Sequence, residues 1–171
     1  MKIKNLFYLS CLAAAVTFTA CDKDDDIKLN DTDRNFMTQA AISNLAEIEA
    51  GQLASTMGQK DSVKKYGAMM VMEHQPAYNS LDSIAKLRSV TIPTTVDAEN
   101  AAIKQRLMTY TGRTFDTAYI NSQIAGHQKT INLFQNEIAN GSDEGLRSYA
   151  TKLIPHIQEH FATANTIKGK L

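Results

Sequence analysis

Three histidines lie on regularly spaced apolar positions of three separate segments. Read at alternating steps of four and three residues, each segment gives an apolar stripe with one histidine: Val63, Gly67, Met70, His74, Ala77, Leu81, Ile84; Ile120, Ile124, His127, Ile131, Phe134, Ile138; Leu146, Ala150, Leu153, Ile157, His160, Ala164, Ile167. This spacing is typical of helices that bury one face in a bundle. Because neutral imidazole binds zinc, copper, nickel or iron, the pattern indicates a metal or ligand site inside a bundle.

A carboxylate from a fourth segment could complete such a site. Glu47 lies in a stripe of small residues whose size would let a partner helix approach closely: Ala40, Asn44, Gly51, Ala54. Counted from the starts of their helices, His74 and His127 lie at a similar depth, and His160 lies further along. We therefore expect His160 to lie two or three helical turns from the level of the other two histidines, unless its helix is staggered. The candidate ligands of zinc, copper or iron are therefore Glu47, His74, His127 and His160.

The same residues have structural interpretations. A histidine on an apolar face is most often a core residue, and the three together could form a buried polar network that fixes helix register. His156 lies four residues before His160 and could form a metal clip with it, but we interpret it as a partly exposed polar residue. We interpret Met69, Met70 and Met72 as core filling rather than as copper ligands.

Several function classes are disfavoured. No glutamate is followed three residues later by a histidine, so the di-iron motif of ferroxidases is missing. There is also no P-loop, G-x-S-x-G or H-E-x-x-H motif. The charge is balanced, with 18 basic and 18 acidic residues, so we expect no binding to nucleic acid. We expect binding or storage rather than turnover, and the alternative is an enzyme that uses the histidines and Asp116 for acid–base catalysis.

The periodic segments predict an all-α fold. Asp33, Asp61, Thr114 and Ser142 are the expected N-caps or helix starts. A kink is expected at Pro76, where the apolar period continues. The long link after the second long helix favours a ferritin-like four-helix bundle, in which a crossover carries a short extra helix between helices two and three. The expected helices cover residues 34–57, 63–88, 98–110, 115–139 and 142–167.

The first 20 residues are typical of a secretory signal. Lys2 and Lys4 precede an apolar run over residues 6–20 that is shorter than a membrane span. The run ends at Cys21 in Phe-Thr-Ala-Cys, which resembles a bacterial lipoprotein signal cut before the cysteine. We expect Cys21 to be lipidated and the membrane to be a partner through that anchor. The alternative is an ordinary signal peptide with a chance cysteine.

An acidic stretch follows the cysteine at residues 22–26, Asp-Lys-Asp-Asp-Asp. It predicts a solvated tether, and it resembles the tag that sends Bacteroidetes lipoproteins to the outside of the outer membrane. We therefore expect an outer-membrane lipoprotein at the cell surface, or alternatively on the periplasmic face. The expected organisation is a signal over 1–20, lipidated cysteine and tether over 21–32, and the bundle over 33–171. Nothing in the sequence identifies a protein partner.

The chain resembles the bacterial family known as domain of unknown function 4142, over about residues 33–168. The resemblance rests on FMTQAAISNLAEIEAGQLA, on MMVMEH, on FDTAYINSQIAGHQKTINLF and on LIPHIQEHFATA. It implies a ferritin-like bundle in a secreted protein or lipoprotein, and it implies no activity. The resemblance adds Asp116 and Tyr119 as secondary site candidates. The positions that match the family's recurrent residues are Glu47, His74, Asp116, Tyr119, His127, Pro155 and His160.

Overall fold

The computed structural model describes residues 28–171, and within this range the protein is all-helical. The expected all-α class is confirmed. The expected signal peptide, Cys21 and the acidic stretch lie outside the described residues. No helix in the described range is long and apolar enough to cross a membrane. The helices are α1 (Asp31–Met57), α2 (Asp61–Leu87), α3 (Ala98–Met108), α4 (Gly112–Asn140) and α5 (Glu144–Lys168).

Two apolar clusters form the core, and all four long helices pass through both. The first cluster contains Phe36 of α1 and Leu146 of α5, near the starts of these helices, and Leu81 and Phe134 from later parts of α2 and α4. The second cluster has the reverse order, with Val63 among its members from the start of α2. Because each helix visits the clusters in a definite order, α1 and α5 run in one direction and α2 and α4 in the other.

A polar layer separates the two clusters. Buried polar side chains occupy the middle of each long helix, between the segments that contribute to the first and second clusters. Because a buried polar group without a partner is costly, each side chain of this layer needs a hydrogen-bond partner or a ligand. Its members are Asn44, Glu47, His74, Gln123, His127, Thr130 and His160.

Two predicted helix starts differ from the structure. Asn30, not Asp33, is the N-cap of α1: its side chain accepts a hydrogen bond from the Asp33 amide, while the Asp33 carboxylate accepts one from the Asn30 amide. This reciprocal capping box moves the helix start upstream. Asp61 is likewise the first residue of α2 rather than its cap. The amides of Gln59 and Lys60 instead donate to Asp116 of α4, at 2.8 and 2.9 Å.

The other helix ends also shift by a few residues. Gly112, which follows the short helix expected over 98–110, is the first residue of α4, and its positive φ of 58° suits the sharp change of direction there. α4 therefore begins before the predicted cap Thr114. α5 is capped by Asp143, which accepts a hydrogen bond from the Leu146 amide at 2.8 Å, instead of starting at Ser142. α2 continues through Pro76, as predicted.

The small residues of α1 bring it close to α2. A Cβ atom added at Gly67 would lie 2.7 Å from the Cβ atom of Ala54 and 2.7 Å from the carbonyl oxygen of Gly51. A Cβ atom added at Gly51 would lie 2.7 Å from the carbonyl oxygen of Gly67. These distances are far below van der Waals contact, so the expected close approach is confirmed. It places His74 of α2 beside Asn44 of α1.

Candidate metal centre

His74, His127 and His160 meet in the polar layer, on α2, α4 and α5. The ring centroids lie 5.4 Å apart for His74 and His160, 5.4 Å for His127 and His160, and 6.0 Å for His74 and His127. One ring nitrogen from each residue lies within 4.8 Å of the other two. The residues are 6%, 1% and 3% exposed, so all three side chains of the cluster are buried.

The expected displacement of His160 by two or three turns was wrong. In a helical hairpin, depth has to be counted from the shared turn, because one helix approaches the turn while the other leaves it. His127 lies 13 residues before the end of α4 at Asn140, and His160 lies 16 residues after the start of α5 at Glu144. The two positions therefore differ by less than one helical turn.

Each imidazole is oriented by a different hydrogen-bond acceptor. His127 Nδ1 donates to the carbonyl oxygen of Gln123 at 2.9 Å. His160 Nε2 donates to Oε2 of Glu73 at 3.0 Å. Such acceptors fix which nitrogen carries the proton, and histidine ligands of metals generally have them.

The partner of His74 is the side-chain oxygen of Asn44. His74 Nδ1 lies 2.9 Å from Asn44 Oδ1, and the amide nitrogen of Asn44 donates to the carbonyl oxygen of Ala40 at 2.8 Å. That second bond identifies Oδ1 as the acceptor, so His74 carries its proton on Nδ1. As in the other two histidines, the opposite nitrogen is left with its lone pair.

The opposite nitrogens have no hydrogen-bond partner among the described residues. They are His74 Nε2, His127 Nε2 and His160 Nδ1, and each is buried. Burial lowers the pKa of His74 well below its ordinary value, with the neighbouring His127 and His160 adding to the effect. Burial also lowers the pKa of His160, against the opposing effect of Glu73. Both are therefore neutral at pH 7, which is the form that binds metals.

Glu47 lies beside the cluster and not within it. Its Oε1 is 3.6 Å from Nδ1 of His127, which is the nitrogen already bonded to Gln123. Burial raises the pKa of Glu47, although His127 acts in the opposite direction. The three histidines thus form a set without a carboxylate, and Glu47 approaches the Nδ1 edge of the His127 ring.

The secondary candidates have separate positions. Tyr119 is fully buried and stacks on Phe115, with ring centroids 6.1 Å apart, and its hydroxyl has no partner in the described part of the chain. Asp116 holds the turn between α1 and α2 through its two amide contacts, which is a structural role. His156 is exposed.

Sequence reasoning did not find the three acceptors. Asn44 was in the stripe of small residues, but nothing in its spacing singled it out. Gln123 acts through its backbone carbonyl, which no side-chain pattern reveals, although its position four residues before His127 is the helical spacing required. Glu73 directly precedes His74 along the chain yet bonds to His160 on another helix.

The fold and the cluster define an all-helical domain with three converging buried histidines. The chain belongs to the family described as Domain of unknown function (DUF4142), whose family model matches residues 19–167. Comparisons with curated proteins and with solved structures gave no significant match.

Proposed function

We propose that this protein binds one divalent transition-metal ion through His74, His127 and His160. The observation that carries the proposal is that three buried imidazoles lie together, each with one nitrogen hydrogen-bonded to the protein and the other without a partner among the described residues. Each ring bonds a protein acceptor through one nitrogen, and its other nitrogen is buried without a partner among the residues described. One ring nitrogen of each histidine lies within 4.8 Å of one from each of the others. A metal ion would satisfy all three buried nitrogens at once.

The donor set favours particular ions. Three imidazoles with no thiolate suit Zn²⁺, Cu²⁺, Ni²⁺ or Fe²⁺ and not Mg²⁺ or Ca²⁺, which prefer oxygen ligands. Three protein ligands also leave one position of a tetrahedral ion free. Metal binding, rather than a defined reaction, is the function that these residues support.

The competing hypothesis is a structural module in which the histidines form a polar network that fixes the packing of the helices. The hydrogen bonds from the three rings to Asn44, Gln123 and Glu73 favour it, because each joins two helices or two turns of one helix. Its weakness is that it leaves three buried ring nitrogens unsatisfied, and an unsatisfied buried polar group costs about 1–3 kcal/mol. The two hypotheses differ in whether the protein binds metal stoichiometrically.

We further propose a ferritin-like four-helix bundle in the cell envelope. Two observations support the bundle topology. Helices α1 and α5 run in one direction and α2 and α4 in the other, and a long connection over residues 88–97 leads from α2 into α3. The leader and the cysteine at position 21 support an outer-membrane lipoprotein at the cell surface, with the periplasmic face as the alternative.

The test is a Zn²⁺ titration of residues 22–171 without a histidine tag. We expect one equivalent to bind to the wild type and binding to His127→Ala to be weakened at least tenfold, with helicity retained. His156→Ala is the matched control, since His156 is exposed, and it should bind like the wild type. Equal binding by wild type and His127→Ala would rule out this site.

A further inference from the structure

A cavity adjoins the histidine cluster on the side of α2 and α5. It has a volume of about 360 Å³, and His74 and His160 both form part of its wall. Met72 and His156, also in the wall, are solvent-exposed, so the cavity is reached from the surface. Neither Glu47 nor His127 belongs to this wall.

The wall is mainly apolar away from the histidines. Its apolar side chains come from all four long helices, and its polar groups gather near the cluster, where Asn44 and Glu73 hold His74 and His160. Binding sites for small organic molecules have this composition, with an apolar body and a few polar groups that fix orientation. The apolar side chains of the wall include Ala77, Phe134, Leu153 and Ile157.

We propose that this cavity binds a small organic monocarboxylate with an apolar body, whose carboxylate coordinates the metal ion. The inference rests on the proposed metal site. Three histidines supply no negative charge to a divalent ion and leave one coordination position free, so an anionic donor is favoured there. The apolar wall of the cavity then favours a ligand whose carboxylate is attached to an apolar group.

The cavity volume limits the size of the ligand. At about 30 Å³ per water-sized group, it holds on the order of ten non-hydrogen atoms. Benzoate fits this limit and has a flat apolar ring, whereas acetate has the same head with almost no body. Benzamide keeps the ring and the shape but lacks the charge. The three molecules separate the contributions of charge and apolar surface.

The experiment uses the protein loaded with Co²⁺, whose visible absorption reports changes of coordination. We expect benzoate to change the spectrum with at least tenfold higher affinity than acetate, and benzamide to bind at least tenfold more weakly than benzoate. Ala77→Leu, which narrows the cavity and leaves all three histidines in place, should weaken benzoate at least tenfold and leave Co²⁺ stoichiometry and the acetate response unchanged. Ala162→Leu, at an exposed position of α5, is the control.

The outcomes separate this inference from the metal site. If Co²⁺ binds through the histidines but benzoate leaves the spectrum unchanged, or binds no better than acetate or benzamide, the carboxylate site is wrong and the metal site stands. The carboxylate site is also wrong if Ala77→Leu binds Co²⁺ and benzoate like the wild type. If Co²⁺ does not bind to the histidines, both proposals fail. Leu153→Trp provides a second cavity-filling variant should Ala77→Leu lose its helicity.

Discussion

The imidazole of His74 illustrates how single hydrogen bonds prepare the cluster. Its Nδ1 proton goes to Asn44, whose own amide is held by a backbone carbonyl, so the ring has one tautomer and one orientation. The lone pair on Nε2 is thereby directed away from Asn44. Replacing the acceptor, rather than the ligand, tests whether this preparation matters.

We expect Asn44→Leu to lower Zn²⁺ affinity about 10- to 100-fold, the range usual for loss of a hydrogen bond behind a histidine ligand. Leucine resembles asparagine in size but accepts no hydrogen bond from His74. Asn44→Asp keeps an acceptor oxygen and should remain within a few-fold of the wild type. Competition with a chromophoric chelator measures both affinities. Equal affinities for the Leu and Asp variants would contradict the role given to Asn44.

The histidines were predictable from the sequence, but their environment was not. The apolar period placed His74, His127 and His160 on buried faces because that period reports which side of a helix is covered. Their hydrogen-bond acceptors depend on which helices become neighbours, and one of them is a backbone carbonyl. The same limit applies to Glu47: its stripe indicated burial, but the side of the His127 ring that it approaches depends on three-dimensional packing.

At the scale of helices, the contact between α1 and α2 depends on the absence of side chains at Gly51 and Gly67. We expect Gly67→Ala to lower the free energy of unfolding by about 1–3 kcal/mol, the usual cost of overpacking, because the new methyl would meet both a Cβ atom and a backbone oxygen of α1. Gly169→Ala is the control, since its added Cβ would lie 3.7 Å from the nearest atom. Chemical denaturation measures both. A Gly67→Ala variant as stable as Gly169→Ala would contradict the close approach.

A buried carboxyl pair joins the start of α1 to the turn between α4 and α5. Asp33 accepts hydrogen bonds from the amides of Ser142 and Asp143, at 3.0 and 3.1 Å. Glu137 is fully buried, and neither of its oxygens has a hydrogen-bond partner in the described range. Burial, and then the negative charge of Asp33, raise the pKa of Glu137 to about 8.

This raised pKa predicts how stability depends on pH. Between the ordinary value of 4.5 and about 8, the folded protein keeps a proton on Glu137 that the unfolded chain has released, so the contribution of Glu137 to stability falls as pH rises. Glu137→Gln, which imitates the protonated acid, should match the wild type near pH 5. At pH 9, where Glu137 is ionised in the folded and the unfolded states alike, the variant should be more stable by on the order of 4 kcal/mol.

Unfolding of both proteins by urea across this pH range measures the difference. Glu159→Gln provides the control, because Glu159 is exposed on α5 and its replacement should leave the pH dependence of the wild type intact. If Glu137→Gln and the wild type lose stability in parallel between pH 5 and pH 9, the proton is not held by Glu137.

For the whole molecule, the all-α class followed from the sequence because the four long segments had helical period and no segment alternated like a strand over a useful length. The exact helix starts did not follow. Asp116 replaces the expected cap of α2 from a different helix, and Asn30 caps α1 through a reciprocal bond with Asp33. Both depend on contacts that a local pattern of residues does not contain.

The proposed anchor also belongs to the scale of the whole molecule. We expect Cys21→Ser to move the protein from the membrane fraction to the soluble fraction, because the lipid would have no attachment point. Cys11→Ser is the matched control, since Cys11 would be removed with the signal and should not affect anchoring. Fractionation followed by detection of the protein measures the distribution. Membrane attachment of Cys21→Ser would contradict lipidation at this residue.

The central claim is that the three histidines hold a metal ion. Mass spectrometry of the metal content of residues 22–171, purified without a histidine tag, tests it most directly when combined with thermal melts in added zinc, copper and iron. We predict close to one metal ion per chain and a melting temperature that rises by roughly 5–10 °C at a hundredfold excess over the Kd. A protein that contains no metal, and whose melting temperature does not change with any of the three ions, would contradict the claim.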